Sequence, residues 1–404
     1  MVNEGYRQTD LGLIPNDWNV VGLLDICSLL NGLTYTPDNV CSNGLLVLRS
    51  SNIQNGQLAF DDNVYVNCTV EESKLLHQGD ILICVRNGSQ ALIGKCAIAK
   101  KNYEYTFGAF MAVLRGSTNG YLIHYLQEGS VQREIIRSSG ATINQITNSD
   151  FRKVKIAIPQ NSNETENIAT ALSDVDELIT NLEKLIAKKK NIKHGVMQEL
   201  LTGKRRLSGF TGEWTEMVIG KNGYLQKGSI NPMLQPEDYF SEYSMPAFDE
   251  TRSPAKVQGK TMHSNRTVIS GRVLLFNKLN VRQKRIWLVD KCEENAVCSG
   301  EFLPYCSDSI DLRLLAQILY TDEVTADFIG MSTGTSNSQK RITPKAFLDY
   351  SLYLPTDMEE QKALADIFDD MDQEISTLQR QVDKYRQLKQ GMMQKLLTGE
   401  IRLI

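Results

Sequence analysis

Ile168-Ala169-Thr170-Ala171-Leu172-Ser173-Asp174-Val175-Asp176, running on through Ile179, Leu182 and Ile186 to Leu200-Leu201-Thr202-Gly203, occurs twice in the chain. The second copy is Leu364-Ala365-Asp366-Ile367-Phe368-Asp369-Asp370-Met371-Asp372, through Ile375, Leu378 and Val382 to Leu396-Leu397-Thr398-Gly399. Matched positions, such as Asp176 and Asp372, Gly195 and Gly391, or Thr202 and Thr398, all stand 196 residues apart, so no insertion separates the copies. In each copy the apolar residues fall at alternating steps of three and four, from Leu172 to Val196 and from Phe368 through Tyr385 to Met392, which is coiled-coil spacing. Each copy ends in Leu-Leu-Thr-Gly, where the glycine can take the left-handed conformation that stops a helix. Two long helices are predicted, over 161–204 and 357–404.

Charge says how they pair. Residues 163–182 hold Glu164, Glu166, Asp174, Asp176 and Glu177 without a Lys or Arg, whereas 183–204 hold Lys184, Lys188, Lys189, Lys190, Lys193 and Lys204. The second copy repeats this polarity, acidic from Glu359 to Glu374 and basic through Arg380, Lys384, Arg386, Lys389 and Lys395. That order suits each helix dipole, and it sets acidic half against basic half only if the partners are antiparallel. A globular segment, 1–160 or 205–356, precedes each helix. Antiparallel pairing therefore predicts two heads at opposite ends of a rod, related by an approximate two-fold axis, about 33 patterned residues or roughly 50 Å long.

The duplication reaches the entry to each head, since Trp18 and Trp214 share the same offset, as do Pro159 and Pro355. Between these markers the heads diverge. In the first, Leu46–Leu48, Gly79–Val85, Leu92–Lys95, Tyr105–Met111 and Val154–Pro159 read as short strands, and Tyr121 opens a helix. In the second, Gly271–Phe276 is the counterpart of the Gly79 strand. The fold class is α+β: two globular domains separated by two long antiparallel coiled-coil helices, with an internal pseudo-two-fold repeat.

Composition sets limits on function. The N-terminus has no apolar signal core and no run approaches the length of a membrane span, so a soluble, cytoplasmic protein with no membrane partner is expected. The eight cysteines are scattered without a C-x-x-C, and the four histidines are isolated, so reduced buried thiols are expected rather than a metal centre. No P-loop, nucleophile elbow or glycine-rich cofactor turn is present. Asn231-Pro232-Met233-Leu234 lacks the second proline and the aromatic of the adenine methyltransferase motif and reads as a turn. Asp249 and Glu250 ahead of Lys256 are too common a combination to indicate a nuclease. No catalytic residue is assigned. A net charge of −4 and a pI near 5.8 argue against a nucleic-acid binder unless basic patches or a basic partner supply the contacts.

Such patches exist. In both heads a buried strand delivers a loop with Arg or Lys beside Asn or Gln. Arg suits guanine, and Asn or Gln suits adenine, so Arg86-Asn87 and Lys278 with Asn280 and Arg282 carry the chemistry for base edges. Lys95, Arg115, Lys284, Arg285, Lys340 and Arg341 suit phosphates. A coiled-coil scaffold whose heads bind protein partners is the competing interpretation. Salt-sensitive, sequence-dependent DNA binding separates the two.

With its duplicated layout, its Leu-Leu-Thr-Gly helix ends followed by Arg206-Leu207 and Arg402-Leu403, and Pro159 and Pro355, the chain resembles the DNA specificity subunits of type I restriction–modification systems over essentially its whole length. The first head is similar to target-recognition domains carrying Arg49-Ser50-Ser51-Asn52-Ile53, Arg86-Asn87-Gly88-Ser89 and Gly108-Ala109-Phe110-Met111. The second is similar to another class, with Lys278-Leu279-Asn280-Val281-Arg282 for Lys-Leu-Asn-Pro-Arg and Ser299-Gly300-Glu301-Phe302 for Ser-Thr-Glu-Phe. The resemblance adds Arg49, Ser50, Asn52 and Ser89 to the DNA-facing candidates, which Asn144, Gln145, Ser336 and Asn337 complete. It implies that each head reads half of a bipartite target in double-stranded DNA and that the helices set the gap. It further implies that the helices dock two modification subunits, which hold S-adenosylmethionine and methylate adenine. Restriction subunits would carry nuclease and translocase activity, and this chain no cofactor.

Overall fold

The computed structural model describes residues 5–129, 145–334 and 339–404. Both repeats form helices of 39 residues, Ser162–Leu200 and Met358–Leu396, started and stopped by matched residues. Asn161 Oδ1 accepts the Asn163 N–H at 3.0 Å and Asp357 Oδ1 accepts the Glu359 N–H at 2.9 Å, capping donors that the first turn leaves unpaired. Gly203 and Gly399 take φ of +69° and +72°. Around them Arg205 N donates to Glu199 O and Ile401 N to Lys395 O, both at 3.1 Å, closing the last turns. Along the predicted seams Leu172, Ile179, Ile186, Phe368 and Val382 are buried, and Val175, Leu182, Met371, Ile375 and Leu378 partly so.

The chain divides into two compact units, one of Met1–Lys184 with Gln379–Ile404 and one of Leu185–Leu378. Each contains a head and a stretch of both helices, and in each the two helical stretches run antiparallel. In the first, Lys389 pairs with Asp176 at 2.7 Å, while Arg386 pairs with Glu183. In the second, Lys193 pairs with Asp372 at 2.6 Å and Lys189 with Glu374 at 2.7 Å. Basic C-terminal halves face acidic N-terminal halves, as the charge polarity requires.

The same ion pairs anchor each head to its helices. Lys389 Nζ also donates to Gln127 Oε1 at 3.2 Å, from the head helix Asn119–Gln127. In the second unit Lys193 Nζ donates to Gln317 Oε1 at 2.8 Å, from the helix Leu312–Leu319. A lysine, an aspartate and a head glutamine thus form the same cluster in both units. Beside it in the first unit lies buried His124, whose Nε2 is 3.1 Å from Ser173 Oγ. Burial, and then the nearby Lys389 ammonium, push its pKa down to about 4.

A second duplicated device joins the chain just past each helix to the first turn of the other. Arg402 Nη2 donates to Glu164 Oε2 at 2.8 Å and to Asp17 Oδ2 at 2.7 Å, and its guanidinium lies over the Trp18 ring. In the second unit Arg206 clamps Glu360 at 2.8 and 2.7 Å and lies over Trp214. Both glutamates are buried; a buried carboxylate needs such a partner.

Each head opens and closes on one antiparallel pair. Trp18–Gly22 pairs with Lys155–Pro159 so that Trp18 faces Pro159, and Trp214–Val218 pairs with Ser351–Pro355 so that Trp214 faces Pro355. Inside the first head, one sheet has the order Cys96–Ile98, Ile81–Cys84, Met111–Arg115, Ser28–Asn31. A second has the order Tyr105–Phe107, Leu45–Leu48, Val64–Val66, Val40–Cys41. The second head builds one sheet around Val273–Asn277, between Phe302–Cys306 and Ile286–Val289, and a five-stranded sheet containing Tyr239–Tyr243 and Ala296–Ser299. One strand expectation fails: Gln90–Leu92 is a 3-10 turn and Gly94 has φ +78°, so the strand starts at Cys96. With only Leu92 and Ile93 apolar before that glycine, the stretch lacks the length to join the sheet.

Candidate nucleic-acid interface

The central strand of the first head, Ile81–Cys84, is wholly buried and Val85 nearly so, but Arg86 emerges exposed. Three backbone bonds fix this corner. Val85 N and Arg86 N both donate to Phe110 O, at 3.0 and 3.1 Å, and Ile146 N donates to Val85 O at 2.7 Å, which brings Gln145 opposite Arg86. Asn87 Nδ2 donates to Ser50 Oγ at 3.0 Å, and Asn87 Oδ1 accepts the Ser89 N–H at 3.0 Å. Cys84 N donates to Lys95 O at 2.9 Å, which places Lys95 on the same corner. Arg86, Asn87, Ser50, Ser89, Lys95 and Gln145, scattered in sequence, therefore converge. The turn at Gly108 is packed from behind: a Cβ on Gly32 would lie 2.0 Å from Gly108 O, so only glycine fits there.

Other candidates in this head have internal work. Asn52 is fully buried. Its Oδ1 accepts the Arg49 N–H at 2.9 Å and its Nδ2 donates to Ala59 O at 3.0 Å and Asp62 O at 3.2 Å, so it shapes the loop and cannot meet a groove. Arg49 pairs with Asp62 at 2.9 Å. Arg115 grips buried Asp80 through two bonds, at 2.8 and 2.7 Å, and donates to the carbonyls of Ser73 and Leu75. It is a structural cation, not a phosphate contact.

The second head repeats the corner with different residues. Val273–Asn277 is buried, and the loop after it is held on both sides. Lys278 N donates to Glu301 O at 2.9 Å, Asn280 N to Lys340 O at 2.8 Å, and Ile342 N to Lys278 O at 3.1 Å. Leu279 faces Arg341 here as Arg86 faces Gln145 in the first head. Asn280 and Lys284, with φ of +50° and +47°, flank the 3-10 turn Val281–Gln283, whose buried Val281 plugs the loop into the core while Arg282 points into solvent. Asn tolerates this left-handed conformation; Lys284 is held in it by bonds from its N–H to Val281 O at 3.0 Å and from Nζ to Tyr320 O at 2.9 Å.

The cationic cluster 278–285 splits in two. Arg285 makes a bidentate pair with Asp249 at 2.8 and 2.7 Å, and Lys284 pairs with Asp322. Both arrangements hold the aspartates below the usual carboxylate range. Arg341 is likewise engaged by Glu301 at 3.0–3.2 Å. These three, expected at phosphates, are neutralised within the head. Among the described residues, Lys278, Arg282 and Lys340 have no carboxylate partner. Asn144, Ser336 and Asn337 lie outside the described residues.

In the sequence Phe110 reads as part of a strand and belongs to the Gly108-Ala109-Phe110-Met111 motif, with no site role of its own. It stands 54% exposed, with the Arg86 guanidinium carbon 5.3 Å from its ring centre. A turn at Gly108, before the strand Met111–Arg115, leaves it outside the alternation. Glu301, read in the sequence only within Ser299-Gly300-Glu301-Phe302, anchors Arg341, a role that only tertiary structure shows.

All eight cysteines are free thiols, and burial pushes Cys96 up to about 12, far from a reactive range. Among the described residues no His, Cys, Asp or Glu cluster could hold a metal ion, and no helix is long and apolar enough to cross a membrane.

Comparison with known proteins places the chain. The family described as Type I restriction modification DNA specificity domain matches residues 15–194. The type I restriction enzyme StySPI specificity subunit of Salmonella potsdam is 24% identical over 96% of this chain and 90% of its own length. The EcoKI specificity subunit of Escherichia coli K12 is 29% identical over 48% of this chain and 44% of its own. The crystal structure of the type I restriction–modification S subunit from M. genitalium has a TM-score of 0.62, covering 98% of this chain and 97% of that one at 15% identity, which establishes a shared fold. Duplicated helices, two divergent heads and these matches converge: residues 15–194 match the type I restriction modification DNA specificity domain, and over nearly its whole length the chain is similar to the specificity subunits of type I restriction–modification systems.

Proposed function

We propose that each head reads one half of a bipartite target in double-stranded DNA, that the antiparallel helices set the gap between the halves, and that they dock two modification subunits for adenine methylation. The observation that carries this reading is the repeated corner. In each head, the loop after a buried strand presents cationic side chains that have no carboxylate partner among the described residues, Arg86 in one and Lys278 and Arg282 in the other, where Lys340 lies beside the loop. Different side chains on one scaffold are what two half-sites of different sequence require.

The docking role is supported by the helices. Ile192 and Leu388, equivalent positions of the repeat, are both exposed apolar residues, at 42% and 47%, so the same surface is offered twice. S-adenosylmethionine belongs on the modification subunits, and restriction subunits add cleavage. The net charge of −4 fits if basic modification subunits supply most of the phosphate contacts. Long-read methylation mapping of DNA from cells expressing this chain with its neighbouring methyltransferase tests the reading. The expected result is a two-part motif with a fixed unspecified gap that disappears when this chain is absent; a continuous motif, or one independent of the chain, overturns it.

A further inference from the structure

Arg86 and Phe110 form a ready-made pair at the exposed corner of the first head. The two bonds from Val85 N and Arg86 N to Phe110 O clamp their backbones together, and the guanidinium carbon sits 5.3 Å from the ring centre. Among the described residues no carboxylate engages the guanidinium. The ring attracts the cation and narrows its rotamers, so its planar fork is oriented before a partner arrives.

Resting on the reading that this head enters a DNA groove, we propose that the pair recognises two neighbouring base pairs, Arg86 a guanine and Phe110 the methyl group of a thymine beside it. In the major groove, guanine O6 and N7 match a guanidinium fork, and the thymine C5-methyl is the apolar group available to a phenyl ring. The spacing agrees. Base pairs stack 3.4 Å apart, so a ring 5.3 Å from the guanidinium carbon reaches the next pair with about 4 Å of sideways offset. Phe110 is then a specificity-determining residue, and the first half-site contains a guanine adjacent to a thymine.

Replacing that thymine by uracil removes one methyl group and nothing else. With the full chain bound to its modification subunits, affinity for the mapped target duplex should fall about fourfold on this change, the effect of losing one methyl from an apolar contact. Phe110→Ala should bind the thymine and uracil duplexes equally, and Phe110→Leu, which keeps an apolar side chain, should retain part of the difference. Arg86→Ala should abolish the preference for guanine. A first half-site without a guanine–thymine neighbour, no effect of uracil, or a Phe110→Ala variant that keeps the thymine preference would each overturn the proposal while leaving DNA reading intact. A wild-type complex with no sequence preference would overturn both.

Discussion

Arg402→Ala is the substitution whose cost the structure predicts most sharply. Arg402 follows the second helix and neutralises Glu164, whose side chain is 1% exposed, at 2.8 Å, while also meeting Asp17, which is 59% exposed. Truncation strands a buried carboxylate, which costs about 3–5 kcal/mol. Losing the exposed half of the cluster through Asp17→Asn should cost no more than about 1 kcal/mol. Adding Glu164→Gln to Arg402→Ala removes the stranded charge, so the double variant should be more stable than Arg402→Ala alone. Hydrogen exchange by mass spectrometry on the full chain reads this locally. The amides of Ile81–Cys84 and Met111–Arg115 should exchange roughly a hundred- to five-thousandfold faster in Arg402→Ala. The matching Arg206→Ala, which strands Glu360, should act on Val273–Asn277. If Arg402→Ala is as mild as Asp17→Asn, or the double variant is no more stable than Arg402→Ala alone, the buried-charge argument is wrong.

His124 adds a pH dependence. The unfolded chain takes up this proton near pH 6.5 and the folded one only near 4, so its contribution to stability is lost as pH falls through that window, by about 3 kcal/mol in all, and levels off below it. The difference between wild-type and His124→Gln urea-unfolding curves should follow that course, and a difference independent of pH would refute it. Arg282→Ala should relax base preference in one half of the target by about 1–3 kcal/mol, whereas Arg285→Ala, which breaks an internal pair with Asp249, should leave the motif unchanged; methylation profiles compare the two. Four residues inserted after Ala187 lengthen the helix by about 6 Å, which at 3.4 Å per pair should widen the unspecified gap by about two base pairs. An unchanged gap sinks the ruler idea.

The candidate interface was only partly legible in the chain. Arg86, Asn87 and the Lys278–Arg285 run stood out because a buried strand followed by Arg, Asn and Lys is a local pattern. Which cations remain available depends on distant carboxylates: Asp249 lies 36 residues from Arg285, Glu301 40 residues from Arg341, and Asp80 35 residues from Arg115. Nothing local marks such partners, so Lys284, Arg285, Arg341 and Arg115 looked like phosphate contacts. Asn52 stands among the DNA-facing candidates in the sequence, and only its burial, a tertiary property, removes it.

What the amino-acid order determines by itself is everything with short-range periodicity or repetition: the two helices and their stops at Gly203 and Gly399, their antiparallel sense from charge polarity, and the head entries at Trp18 and Trp214. These follow from forces acting within a few turns of helix or between copies of one pattern. Tertiary structure alone decides which polar groups are neutralised and which face outward. Phe110 under Arg86, Gln145 opposite it, and the paired clamps Arg402–Glu164 and Arg206–Glu360 join residues from 24 to 238 positions apart. Ion pairing and burial depend on distance in space, and that distance exists only once the chain has folded.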